Sequence, residues 1–412
     1  MQGLMLMQGL SRASQQGAQG QLGGFSSACV RQFSMGGSYI EGSYPSQNLA
    51  LANNGVRKAG PGGRSSVSGI VATIFGANGF VGSYVTNELA NKGSQVITPY
   101  RSTENAVQHL KQMGDLGQVI MLKDFQIFNE DMVRYAISRS NVVINLIGQR
   151  TETVNYTFDD VHVNWPKMLG RIVAESPHVE RLIHFSELGA EEGHASRRLA
   201  SKAKGDRLLS EQVPSATIVR PGPVVGIEDH FYNYMIYQLA FGVVAPVIDG
   251  GVAKIQPTWV RDVADSIHIM LKRPETVGKT FYLGGPEVLS IREVYDTLIK
   301  TLRLKSDDTI HLPKALATAL LKPMDKVRRL TPPLPTDTYF NSVDYVEEAT
   351  RDRVMPAGAL GYKDLDFKSN KVTDGLPMEP VRHFRVGGYS WGDMASVAKD
   401  VPENIRKYYN IK

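Results

Sequence analysis

The chain has 412 residues, of which 42% are hydrophobic and 21% charged, with a formal net charge of +5. These values suit a folded chain of one large domain with an extension, or of two to three smaller domains. With no run of about 18 uncharged apolar residues, no transmembrane helix is expected, and Lys and Arg scattered without interleaved aromatics argue against a nucleic-acid partner.

Residues 1–33 read as a mitochondrial transit peptide. They contain Arg12 and Arg31, no Lys and no acid, and are rich in Ser, Gly, Gln and Ala without a long apolar run. Val30-Arg31-Gln32-Phe33-Ser34 places an Arg shortly before an aromatic and a Ser, as at a processing site. Cys29, the only cysteine, lies inside this leader, so a processed chain would have no disulfide, thiolate nucleophile or Cys-ligated metal. His, Asp and Glu show no metal-ligand spacing, and no metal is expected. Residues 34–68 read as an extended arm, with Arg57, Lys58 and Arg64 at its basic edge, to be ordered against a partner.

From Gly69 onward short apolar runs alternate with helical periods. Strands are expected at 70–75, 95–99, 118–122, 142–147, 181–185, 216–220 and 280–283, most of them separated by helices. This pattern predicts an α/β chain: a Rossmann-type, doubly wound, mostly parallel sheet, with a smaller C-terminal lobe and extended termini. The nucleotide-binding part is expected over 69–300 and the lobe and extension over 301–412.

Residues 76–82, Gly-Ala-Asn-Gly-Phe-Val-Gly, follow the first strand and open a helix. Gly76 permits the tight turn, Gly79 lets backbone N–H groups reach a pyrophosphate, and Gly82 lets helix pack on strand. Asn78, Phe80 and Val81 complete that loop, and the helix N-terminus faces the phosphates. An NAD site usually has Asp or Glu at the end of the second strand, but this one ends in Arg101. A guidanium there pairs with a 2′-phosphate, which selects NADPH over NADH; an ordinary exposed Arg at a strand end is the other reading. Asp124, after the third strand, can accept from an adenine amino group and equally can cap the following helix. The fourth strand ends in Leu146-Ile147-Gly148, where Gly148 would let backbone lie close to the cofactor ribose; a simple strand-end turn explains it as well.

Ser186 follows the fifth strand, and Arg198-Leu199-Ala200-Ser201-Lys202 begins twelve residues later. Arg220-Pro221-Gly222-Pro223 closes the sixth strand. Residues 309–330 hold Leu316 and Leu320 four apart among Lys314, Lys322, Lys326, Arg328 and Arg329. They predict a short basic amphipathic helix, ended or bent at Pro323, which would rest on anionic lipid or a neighbouring subunit, or form an ordinary surface helix. Beyond Thr331-Pro332-Pro333-Leu334-Pro335 the strand–helix rhythm is lost, and the tail reads as an extension without a second core of its own.

Over roughly residues 69–300 these spacings resemble the atypical, extended branch of the short-chain dehydrogenase/reductase family. In that family a strand-end Ser orients the substrate carbonyl and a Tyr-x-x-x-Lys pair follows, the Tyr exchanging a proton with substrate and the Lys holding the nicotinamide ribose. The resemblance places Ser186 and Lys202 in those positions and Pro221 beside the nicotinamide. Arg198 stands where the Tyr belongs, and a guanidinium is no general acid near neutral pH. The literal Tyr408 to Lys412 spacing lies at the C-terminus and is read as chance. The expected cofactor contacts are Gly76, Asn78, Gly79, Phe80, Val81, Arg101, Asp124, Leu146, Ile147, Gly148, Ser186, Lys202 and Pro221, with no catalytic residue.

Within that branch, Phe75–Gly82, Asn141–Gly148 and Lys254-Ile255-Gln256-Pro257 resemble the large dehydrogenase-like accessory subunits of mitochondrial respiratory complex I. This resemblance implies a structurally bound NADPH, other complex I subunits as partners, and a peripheral place on the matrix side of the inner membrane, near the quinone entry region at the junction of the two arms, where the chain would support assembly and stability. An active NADPH-dependent reductase and an NADPH-responsive redox sensor are the alternatives.

Overall fold

The computed structural model describes residues 63–240, 245–304, 309–330, 340 and 342–384. The expected transit peptide, most of the arm with Arg57 and Lys58, the Pro-rich stretch at 331–335 and the Tyr408–Lys412 spacing lie outside the described residues.

Seven strands form one parallel sheet: β1 (Val71–Phe75), β2 (Gln95–Pro99), β3 (Val119–Leu122), β4 (Val142–Asn145), β5 (Arg181–Phe185), β6 (Thr217–Pro221) and, after four short strands, β11 (Thr280–Leu283). Their order is β11-β6-β5-β4-β1-β2-β3 and every pairing is parallel. All seven fall on the expected runs. Central strands of a covered sheet are buried on both faces, which is why β1 and β4 read as nearly unbroken apolar runs.

Side chains alternate across the sheet with the two-residue strand period. Ile74, Ile144 and Ile183 point into one core with helices α1 (Phe80–Asn91), α2 (Glu104–Lys111) and α7 (Val260–Lys272). Phe75, Val143 and Leu182 point into the other with α3 (Glu130–Ile137), α4 (Trp165–Ala174) and α5 (Arg197–Gln212). The order reverses between β1 and β4, and in open parallel sheets a ligand crevice lies at the carboxyl ends of strands at such a point.

A further core joins α6 (Phe231–Ala240) and α8 (Ile291–Leu302) to β8 (Ala245–Ile248), α9 (Lys314–Leu330), α10 (Val343–Ala349) and α11 (Glu379–Arg382). The C-terminal chain therefore shares this core with residues 225–302. It also serves the sheet: Tyr282 N donates to Leu360 O at 2.8 Å beside β11, and Tyr362 and Leu365 enter the first core. The edge strand is thereby covered, which removes an open pairing edge.

α9 continues through Pro323 to Leu330, so the proline does not end it. Ala317 is buried, whereas Leu316 and Leu320 are 50% and 59% exposed, so the shared Leu face looks to solvent. Among the described residues no helix is long and apolar enough to cross a membrane.

Candidate functional site

The glycine turn is built by close approach. Gly76 has φ +87°, and a Cβ there would lie 3.0 Å from the Leu146 carbonyl carbon; a Cβ on Gly82 would lie 2.2 Å from Gly76 O. The turn thus seats the end of β1 against the end of β4 and the start of α1. Gly79 precedes α1 with no side-chain cap, and the first turn carries no acid. Its leading N–H groups meet no competing carboxylate from their own helix, an arrangement suited to an anion.

A cleft of about 330 Å³ opens at this point. Its walls bring together Gly76, Gly79, Phe80, Val81, Leu146, Ile147, Gly148, Ser186, Lys202 and Pro221, ten of the thirteen expected cofactor contacts. Asn78 lines an adjoining cavity of about 520 Å³, and its Nδ2 lies 3.5 Å from Ser102 Oγ, next to Arg101. Arg101 is exposed, with its guanidinium 5.6 Å from the Tyr156 ring centroid. Asp124 is exposed, has φ +59° and lines neither space. It does not cap the next helix: Asn129 does, accepting from Met132 N at 3.2 Å. The Asp124 cap reading is corrected, because the cap must directly precede the helix it serves.

The end of β4 is fixed by Asn145. Its Oδ1 accepts from Trp165 Nε1 at 3.0 Å and from Ile147 N at 3.2 Å, and its Nδ2 is 2.9 Å from His184 Nδ1. The next loop is tied down through His162. Gln149 N donates to its Nε2 at 3.0 Å, so Nδ1 carries the proton and donates to Ser201 Oγ at 2.8 Å. Burial, then Lys202 and Arg198, hold the His162 pKa well below its ordinary value, and the ring stays neutral.

Arg198 and Lys202 sit one turn apart on α5 and converge on Glu187. Arg198 Nη1 and Nη2 donate to Glu187 at 2.5 and 2.8 Å, while Nε and Nη2 donate to Glu348 at 2.9 and 2.6 Å. Lys202 Nζ is 2.9 Å from Glu187 Oε2, and Arg353 Nη1 reaches both carboxylates at 3.3 and 3.4 Å. Ser196 Oγ also donates to Glu348 at 2.9 Å. Burial alone would raise the carboxyl pKa values, but Arg198, with Lys202 and Arg353 at Glu187 and with Arg353 at Glu348, outweighs it: Glu187 lies well below its usual range, and Glu348 is lowered too. Both carboxylates therefore stay charged.

Glu187, Glu348 and Arg353 are absent from the expected set. Glu187 directly follows Ser186, so its position was a signal; Glu348 and Arg353 come from more than 140 residues downstream and carry none. The Arg198 guanidinium is fully engaged by acceptors and cannot exchange a proton with a ligand. Tyr345, a phenol on the cleft wall, is buried, and its pKa is pushed up by burial and then by Tyr234.

Residues 72–284 match the model of the NAD-dependent epimerase/dehydratase family. The chain is 38% identical over 362 residues to the Arabidopsis thaliana protein named NADH dehydrogenase [ubiquinone] 1 alpha subcomplex subunit 9, mitochondrial, covering 86% of this chain and 88% of that one. The chain belongs to this family. The Mus musculus protein of the same name is 40% identical over 333 residues, covering 81% and 84% of the two chains. Among solved structures, dTDP-glucose 4,6-dehydratase from Bacillus anthracis, crystallised with NAD, aligns with TM-score 0.51 at 18% identity over 59% of this chain and 84% of that one, a likeness of fold.

Proposed function

We propose that the chain is a non-catalytic accessory subunit of mitochondrial complex I that holds NADPH in the cleft as a structural ligand. The carrying observation is Arg198: the side chain one helical turn before Lys202 is a guanidinium bound by two buried carboxylates, where a proton donor would be needed. The names of the subunit 9 relatives support the partners, which are other complex I subunits, and the mitochondrial address. The outward Leu316 and Leu320 face on basic α9 supports a peripheral contact with a neighbouring subunit or inner-membrane lipid on the matrix side.

The cleft fits a dinucleotide in its glycine turn, its uncapped helix N-terminus and its surplus of cations, since Arg150, Arg198, Lys202 and Arg353 line it with Glu187 as the lining carboxylate. Gly76, Gly79 and the first turn of α1 would hold the pyrophosphate, Leu146 to Gly148 would border a ribose, and Arg101 with Asn78 would hold the 2′-phosphate. NADPH, when bound, supplies a hydride donor. Around it the chain offers engaged cations and an elevated phenol, so on this reading the cofactor is held and not consumed.

The test is native complex carrying this chain, dialysed and then assayed for nucleotide by fluorescence and mass. Stoichiometric NADPH that resists oxidation by added ketones and quinones is expected. Turnover of that NADPH would establish a reductase instead. Arg101→Glu is expected to lose NADPH, and unchanged content in that variant would sink the phosphate assignment.

A further inference from the structure

A second cavity, of about 720 Å³, lies between the start of α1, the start of α7, α6 and the C-terminal α11. It is separate from the dinucleotide cleft and shares no lining residue with it; Gly226 on its wall backs onto the ring of Phe80, which lines the cleft. Its walls are mostly apolar, and four of their large side chains stand open to solvent: Ile227 at 60%, Tyr237 at 58%, Leu376 at 65% and Phe384 at 49% exposed. Exposed apolar groups gathered around one concavity mark a binding surface, and the volume lies in the range of small-molecule sites.

The polar groups on the wall are few and mostly engaged. Tyr84 hydrogen-bonds Glu228, Asn233 Nδ2 donates to Ile227 O at 2.8 Å and Asp229 O at 2.7 Å, and Glu379 pairs with Arg382. Arg261 differs. Its guanidinium lies over the Trp259 ring, 5.5 Å from the centroid, and among the described residues no carboxylate pairs with it. A cation–π contact of this kind engages the face of the ring and leaves guanidinium N–H groups available to a ligand. An apolar chamber with one available fork-shaped cation calls for a ligand with one carboxylate and little else that is polar. A peptide would bring backbone N–H and C=O groups that these walls leave unpaired.

We propose that this cavity binds a long-chain carboxylate, its chain against Ile236, Tyr237, Leu376 and Phe384 and its head on Arg261. The inference is independent of the NADPH reading.

The full chain is titrated with palmitate below its micelle concentration, by calorimetry and by tryptophan fluorescence, since Trp259 lies on the wall. Saturable one-to-one binding is expected, weakened at least tenfold in Arg261→Gln and at least tenfold for hexadecanol, the neutral analogue. Leu376→Glu, at an exposed position, should weaken it similarly by setting a like charge at the mouth. NADPH content and melting temperature, measured on each variant, show that the fold is kept. No saturable palmitate binding, hexadecanol binding within threefold of palmitate, undiminished affinity in Arg261→Gln, or uptake of phospholipid from vesicles without palmitate binding would overturn the proposal.

Discussion

Glu348→Gln is the sharpest probe of the buried ion cluster. The substitution keeps the side-chain shape and removes one charge. Arg198, Lys202 and Arg353 face Glu187 and Glu348, a net charge of +1 that becomes +2 in the same volume, and the new amide N–H₂ group confronts guanidinium donors. Because Glu348 is fully buried, solvent does not screen the loss. Removing one partner of a buried pair costs about 3–5 kcal/mol; Gln retains one acceptor oxygen, so about 3 kcal/mol is expected. At about 2–4 °C per kcal/mol for a domain of this size, the midpoint should fall by about 6–12 °C. Glu192→Gln is the control, since its pair with Arg207 is half exposed on both sides, is screened by solvent and should leave the midpoint unchanged. The pH dependence has a definite sign. Both carboxyl pKa values are lowered by folding, so their contribution is complete above the ordinary carboxylate range near 4.5 and is lost as pH falls below it. Differential scanning fluorimetry from pH 4 to 8 should show the wild type converging toward Glu348→Gln at the acid end. A variant that melts within 2 °C of wild type at pH 7 would refute the reasoning.

Arg198→Tyr restores the Tyr-x-x-x-Lys spacing, yet it strips Glu348 of its bidentate partner; no reductase activity and a midpoint lowered as in Glu348→Gln are expected, and NADPH oxidation by a carbonyl substrate would contradict this. Gly82→Ala places a Cβ 2.2 Å from Gly76 O, backbone that cannot yield, so the variant should lose bound NADPH and fold poorly, as read by nucleotide content and circular dichroism. Asp265 on α7 is half buried beside Glu88, and its pKa is raised to about 6 by burial, Glu88 and Asp262. A raised carboxyl pKa leaves a cost that is present above pH 6 and gone below about 4, so Asp265→Asn should stabilise by about 1 kcal/mol at pH 8, after allowing for solvent screening, and by nothing at pH 4. Denaturant titrations at the two pH values check the sign.

The sheet was legible because its strands are short apolar runs bounded by Gly, Pro and polar residues, and the glycine turn was legible because its spacing is set by backbone contact. Lys202 and Arg198 could be placed by their separation from Ser186. What they touch could not. Glu348 reaches Arg198, and Arg353 the cleft wall, only because the C-terminal chain folds back along β11 and into the core it shares with α6 and α8, a long-range event with no local pattern. Asp124 misled as a cap because polar residues crowd the loop before α3, and Asn129 is the one at the helix start. Pro323 failed to end α9: a missing N–H on a partly solvated helix leaves one carbonyl to water, and the buried Ala317 face still holds the helix in place.

A buried ion cluster is weak evidence of stability, since apolar side chains of equal volume often serve as well. Its value lies in what it connects. Glu187 follows β5, at the carboxyl end of the seven-stranded sheet; Glu348 lies on α10, in the C-terminal chain; Arg198 grips both with separate edges of one guanidinium. A tyrosine at that position offers a single hydroxyl and could not join the two. Phe340, Tyr345 and Arg353, from the same C-terminal stretch, complete the cleft wall. A ligand held there gains contacts from both parts, and any ligand that binds only the folded chain stabilises it by mass action, about 2.7 kcal/mol at a hundredfold excess over Kd. On the proposed reading, the site that would donate a proton in an enzyme is a joint, and a dinucleotide in the cleft would hold together the same two pieces that the arginine joins.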